Sequence, residues 1–334
     1  MAELKVNNLE SRRDNIIRRA LTIIGANAAD EEPRDTDVAL AADALNDLIK
    51  VWQSTGEHLW ARNSATVFLQ PGQVKYTLGG NSKDHATENF VISSLAADVI
   101  TGTTVITLGK KFIESHADLV DLAVGDYVGI RRPDGPLFWT KVKTVKPEIR
   151  LEDPAPVDLK AGARLFYYTN KIGKTLRIPE ARRQQGIPPN LSEIEMVELG
   201  RADYVNLPNK LVLGTPVQFY HDPKRTFSEL FVWPAPSRVD EYINMTYLRP
   251  LDIFDSAEDA ADIPDEWVMA LKYQLAVNIN DDIMGGAPLS QTTIALADSY
   301  LQRALNWDQG NAPVFMQFAR SRGMQRGRTT GGGG

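Results

Sequence analysis

The residues best suited to proton or metal chemistry are four histidines, His58, His85, His116 and His221, and their spacing serves neither. No two of them fall one helical turn apart, as the His-Glu-x-x-His zinc motif requires. They read as surface or interface histidines. Cysteine is absent, which removes thiolate nucleophiles, Cys-ligated zinc and disulfides together. The nucleophile-elbow pattern Gly-x-Ser-x-Gly, the phosphate-binding Gly-x-x-x-x-Gly-Lys loop and the dinucleotide glycine fingerprint are all missing. Leu78-Gly79-Gly80-Asn81 carries two glycines, but no helix comes after it to cradle a phosphate, so it reads as a turn.

Carboxylates give the next candidates. The stretch 252–266 holds Asp252, Asp255, Glu258, Asp259, Asp262, Asp265 and Glu266 without a basic residue. Ala257 and Ala260 stand where a calcium loop needs a ligand and a glycine, so the stretch reads as a solvated linker running into a helix start. Glu193, Glu195 and Glu198 are close enough in sequence to suggest the paired acids of a glycan hydrolase, but any three of 43 acidic residues carry that signal weakly. The sequence therefore points away from an enzyme and calls for no cofactor and no metal.

The elements around these residues are clearer. Val38, Ala41, Ala42, Leu45, Leu48, Ile49 and Trp52 form one apolar stripe at helical period. Asp35, Thr36 and Asp37 open that helix and Gly56 closes it. Upstream, Ile16, Ile17, Ala20, Leu21 and Ile24 mark a shorter helix ended by Gly25, predicting an αα-hairpin. After Trp60 the period changes to 2. Runs at 66–69 and 74–78 flank Pro71-Gly72 and predict a β-hairpin. Strands and turns then continue to about residue 251, with a short helix predicted at 192–200, a helix or turn at 113–122 and a strand near 210–213. Close strand spacing predicts a small barrel or sandwich at 95–169. From Ile263-Pro264-Asp265-Glu266 the helical period returns, with Trp267, Ala270, Leu271, Leu275 and Ile279, then Ile294, Ala297, Leu301, Ala304 and Leu305.

These elements predict an α+β fold. Helix pairs at 1–62 and 252–308 form one four-helix body, and a large β domain at 63–251, with the 95–169 unit nested in it, is inserted between them. Leu45, Trp52, Trp267 and Leu271 are the predicted core of the helical body. Residues 309–334 read as an extended C-terminal arm, with Phe315, Met316 and Phe318 as apolar anchors ahead of Arg320 and Arg322. The 334-residue chain has 43% hydrophobic and 24% charged residues, without an apolar run of the roughly 18 needed to span a bilayer. Met1 to Asn15 lacks the apolar core of a secretory leader. Four arginines and no acid lie in 309–334, so a net charge of −6 leaves −10 on the rest. Such a body is a poor general binder of nucleic acid.

Several local motifs, in order, resemble the head-to-tail adaptor (head-completion) proteins of short-tailed phages, including the tail tubular protein A and packaged-DNA-stabilisation types. They begin with the acidic loop and the run from Asp37 through Asn46 to Trp52. Arg201-Ala202-Asp203-Tyr204-Val205-Asn206-Leu207-Pro208-Asn209-Lys210, Gly214-Thr215-Pro216 and Phe219-Tyr220-His221-Asp222-Pro223 come next. Leu230-Phe231-Val232-Trp233-Pro234-Ala235-Pro236, Thr246-Tyr247-Leu248-Arg249-Pro250 and Ile263-Pro264-Asp265-Glu266-Trp267 complete the series. The likeness spans about 13–307 and is loose over 95–169. It implies a virion structural protein without catalytic activity, made in the host cytoplasm and placed at the head-to-tail interface. Twelve copies would form a ring beneath the portal, hand on to a tail nozzle or hub, and help retain packaged DNA. Genomic DNA would pass without sequence-specific binding, and no membrane is involved. The alternative is a virion carbohydrate-binding or receptor-recognition protein using Trp139 and Trp233.

Overall fold

A computed structural model describes residues 11–28, 31–55, 59–79, 82–109, 111, 113–114, 122–186, 191–239 and 241–310. Among these residues the fold is mixed α+β, with five α-helices and several sheets. The helices are α1 (Arg13–Ile24), α2 (Asp35–Thr55), α3 (Arg201–Val205), α4 (Asp265–Met284) and α5 (Gln291–Gly310). Gly25 ends α1 at φ 79°, its N–H bonding back to the Leu21 and Thr22 carbonyls. Pro264 precedes α4, Asp265 and Glu266 face the positive end of its dipole, and Gly285 closes it at φ 62°.

α4 organises the helices. It packs on α1, α2 and α5, and its buried residues run almost without a gap from Trp267 to Leu271. A helix that is apolar on most sides belongs at the centre of a cluster. One core gathers Ile16, Ile17 and Leu21 of α1, Leu45 and Ile49 of α2, and Leu271, Leu275 and Ile279 of α4. From α5 it takes Ala304 as a fully buried member, with Leu301 and Leu305 half-buried. The α5 stripe thus departs from expectation: Ile294 is exposed, because α5 meets only one neighbour strongly.

The acidic stretch keeps Asp252, Asp255, Glu258, Asp265 and Glu266 exposed, but it is also tied to its neighbours. Arg249, just outside it, forms a two-pronged ion pair with Asp262. The Asn46 side chain bonds both backbone groups of Phe254, at 3.2 and 3.0 Å, and Leu251 and Phe254 are buried against the helices. The start of α1 and the chain just before it join the same stretch, through Arg13 N–H to the Asp259 carbonyl at 2.9 Å and Ala261 N–H to the Ser11 carbonyl at 2.9 Å.

Two sheets face one another across a second core. In the first, Ser192–Glu195, Arg177–Gln185, Glu241–Leu248, Arg62–Phe68 and Ala86–Thr87 are antiparallel neighbours. The second orders Val197–Glu198, Gln218–Pro223, Ser228–Trp233 and Lys75–Leu78. Val67, Ile178, Ile243 and Met245 of the first meet Tyr76, Phe219, Leu230 and Val232 of the second. This corrects two expectations. Arg62–Phe68 and Lys75–Leu78 do not form a hairpin, because the Pro71-Gly72 turn carries the chain from one sheet to the other. Gly72 N–H is held there by the Pro236 carbonyl at 2.8 Å. The predicted 192–200 helix is instead two strands that cross between the same sheets, pivoting on buried Met196.

A seven-stranded sheet holds the nested unit, with Arg164–Tyr168 between Tyr127–Arg131 and Val91–Ser94. Residues of a strand alternate faces, and here both faces are covered. Leu165 and Tyr167 enter the unit's own core, with Val128, Ile130 and Leu159. Phe166 and Tyr168 enter an aromatic core shared with Phe68 and Tyr242 of the five-stranded sheet. The sheet takes in Val91–Ser94, upstream of the predicted boundary at 95. Most of the region expected as a helix or turn at 113–122 lies outside the described residues, and Ile113–Glu114 is a strand. Near 210–213 only Leu213–Gly214 is a strand.

Candidate docking surfaces

The arm residues Phe315, Met316, Phe318, Arg320 and Arg322 lie outside the described residues, as do His58 and His116. Residues 309 and 310, expected to open the arm, form the last turn of α5. The four helical-core residues share one cluster: Leu45 and Leu271 are fully buried, Trp267 is 1% exposed and Trp52 6%. Trp267 is the hub. Trp52 meets it edge-on at 5.2 Å between ring centres, and Trp60 lies tilted on it at 4.8 Å. Such pairs contribute about 0.5–1.5 kcal/mol each beyond the area they bury.

Beside these rings runs an open groove of about 690 Å³ between α2 and α5, with α4 as its floor. Leu48, Val51, Trp52, Trp267, Leu301 and Leu305 make it apolar, and Asp47, Gln274 and Asn278 are the polar groups on its edge. Val51 is 54% exposed, and Leu40, Ile294 and Trp307 of the same helices are exposed as well. Asp47 is paired with Lys50 at 3.0 Å, so the groove itself presents no unpaired charge from that turn.

In the β region Val197, Val205, Leu211, Leu213 and Val217 are individually exposed. Val205 belongs to α3, a helix that the sequence patterns did not predict. α3 is anchored by Tyr204, which stacks on Tyr220 at 5.3 Å and meets Phe231 at 5.1 Å. The run Leu211-Val212-Leu213 in an otherwise polar, proline-rich segment was the available signal for these exposed side chains.

The remaining candidates are held by their own neighbours. His85 lies flat against Trp139 at 3.9 Å and shares a 2.6 Å hydrogen bond between its Nδ1 and the Tyr168 hydroxyl. Burial pushes its pKa down to about 3. His221 is buried with Thr175 and Ser228, its Nε2 2.9 Å from Thr175 Oγ1, and burial lowers it to about 4. Both imidazoles are neutral at pH 7. Glu193 and Glu198 stand in different sheets, and Glu193 accepts from Gln184. Among the described residues no three His, Cys, Asp or Glu side chains are grouped to hold a metal ion. Trp139 and Trp233 also lie in different sheets. Trp139 is wedged over Gly129, where an added Cβ would sit 2.6 Å from the indole, and Trp233 donates to the Asn209 carbonyl at 2.9 Å. They do not form one sugar platform. A polar cavity of about 760 Å³ is lined by Glu88, Lys171, Lys174, Arg249 and Asp252; Arg249 is engaged by Asp262, Glu88 accepts the Tyr247 hydroxyl at 2.6 Å, and Lys171 donates to the Ser82 carbonyl at 2.9 Å.

No known protein family matches the chain, and no curated protein matches it.

Proposed function

We propose that the chain is the subunit of a head-to-tail adaptor ring in a short-tailed phage virion, contacting the portal on one side and a tail nozzle or hub on the other. In this reading the N- and C-terminal helix pairs make one four-helix body, and the β region inserted between them is a second contact module. One observation carries the proposal: among the described residues an apolar groove between α2 and α5 lies open, and the β region separately exposes Val197, Val205, Leu211, Leu213 and Val217. Monomeric soluble proteins rarely leave a contiguous apolar groove open, so it suits a part with neighbours. The order of motifs from Asp37 to Trp267, which resembles the adaptor proteins, supplies the identity of those neighbours. A net charge of −10 outside the arm suits a channel through which DNA slides, since like charge prevents adhesion.

Phe315, Met316 and Phe318 then anchor each subunit between portal subunits, with Arg320 and Arg322 on acidic groups or carbonyls at the rim. A dozen arms act multivalently, so modest affinity per arm suffices. The test is truncation after Gly310, which leaves α5 whole. The truncated chain should lose most portal binding and most of its salt dependence. Unchanged binding would place the joint elsewhere.

A further inference from the structure

The α2–α5 groove has a direction, and the end of α5 lies at one end of it. The rings of Tyr273 and Tyr300 meet at 5.0 Å, and the short connection 285–290 makes α4 and α5 antiparallel. The last turn of α5 therefore lies beside the first turn of α4, next to Trp267. Trp52, near the end of α2, meets Trp267 at the same place. The groove thus has a near end at Trp52, Trp267 and Leu305 and a far end at Ala44, Asn278 and Leu301. α5 stops at Gly310, five residues past Leu305.

The sequence beyond α5 suits this geometry. Gly310-Asn311-Ala312-Pro313 is rich in turn-forming residues, able to help reverse the chain. Val314, Phe315, Met316 and Phe318 come next, the only apolar cluster in 311–334. Five extended residues span about 16 Å. The floor from Trp267 to Asn278 covers about 16 Å as well, at 1.5 Å per helical residue. Beyond the far end, the charges change sign in register. Asp43 lies one turn before Asp47 on α2, and Asp298 precedes Leu301 on the lining face of α5; both are exposed. Arg320 and Arg322 come directly after the apolar run.

We infer that in the free subunit residues 314–318 fold back into the α2–α5 groove of their own chain, with Arg320 and Arg322 beside Asp43 and Asp298. This covers the groove and stores the arm until another surface takes it. The inference needs no portal and stands apart from the ring reading, which could fail without affecting it.

The absence of native cysteine makes a direct test simple. Val51→Cys is combined in turn with Phe315→Cys, Met316→Cys and Phe318→Cys, and separately with Thr330→Cys as the reference for a tail that samples space at random. Val51 is 54% exposed, so its replacement leaves the helical core untouched. In dilute protein under mild oxidation, at least one of the three pairs should close an intramolecular disulfide about tenfold faster than the Thr330 pair, because docking raises the effective concentration. Adding Asp43→Lys and Asp298→Lys should slow that closure toward the reference rate. Rates equal to the Thr330 pair overturn the inference. So do disulfide-linked dimers whose yield rises with concentration, which would assign the groove to a second copy.

Discussion

At the scale of single residues, burial and neutrality decide which side chains matter. Leu45 and Leu271 are fully buried in one core. Leu45→Ala and Leu271→Ala should each cost about 2–5 kcal/mol in chemical denaturation, as buried large-to-small changes do. Losses of a few tenths in both would mean α2 and α4 do not share that core. Gly129→Ala should destabilise by about 1–3 kcal/mol, since its new methyl meets the Trp139 ring rather than a movable chain end. His85 gives a pH signature. Its folded pKa, about 3, lies below the ordinary 6.5, so the unfolded chain takes up a proton that the fold refuses. The resulting stability is present above pH 6.5 and lost as pH falls toward 3. Between pH 7 and 5, His85→Asn should lose about 1–2 kcal/mol less unfolding free energy than the unaltered chain. Identical pH slopes would mean the imidazole is not held neutral.

At the scale of elements, what was legible depended on whether local chemistry or distant pairing set the structure. α1, α2 and α4 were legible because period, cap glycines and a starting proline act within a few residues. The pairing of Arg62–Phe68 was not, because its partner Glu241–Leu248 lies far away in sequence and Pro71-Gly72 fits a hairpin equally well. The 192–200 segment carries helix-favouring Glu, Met and Leu, yet pairing with Arg177–Gln185 and Gln218–Pro223 overrides that preference. Arg164–Tyr168 has apolar residues on both faces, a pattern that hides which core each face serves. Of the candidate surfaces, the Trp52–Trp267 contact was legible from two apolar stripes, whereas the groove beside it was not. It exists because α5 covers only part of α4, a packing outcome that its own stripe does not encode. The shared aromatic core yields another prediction. Removing 95–169 with a short Gly-Ser bridge should keep the far-ultraviolet helical signal, because the helical core contains no residue of that segment. It should also alter the near-ultraviolet aromatic signal, because Phe68 and Tyr242 lose Leu137, Phe166 and Tyr168. Loss of the helical signal would show that the segment supports the helices after all.

At the scale of the whole molecule, an apolar groove open among the described residues, exposed apolar side chains in the β region, an acidic body and a basic C-terminal segment make a part suited to contact with neighbours. The helices supply stiffness, since α4 is clasped by three neighbours. The β region supplies a second module, since its core is separate from that of the helices. The central claim is that many copies of the chain form a ring on a portal. Electron microscopy of the purified chain mixed with the portal of its own phage tests it most directly. The account predicts twelve-fold rings of added density stacked coaxially on the portal. Portals that stay bare at concentrations well above those needed for assembly, with the chain monomeric alongside, would contradict it.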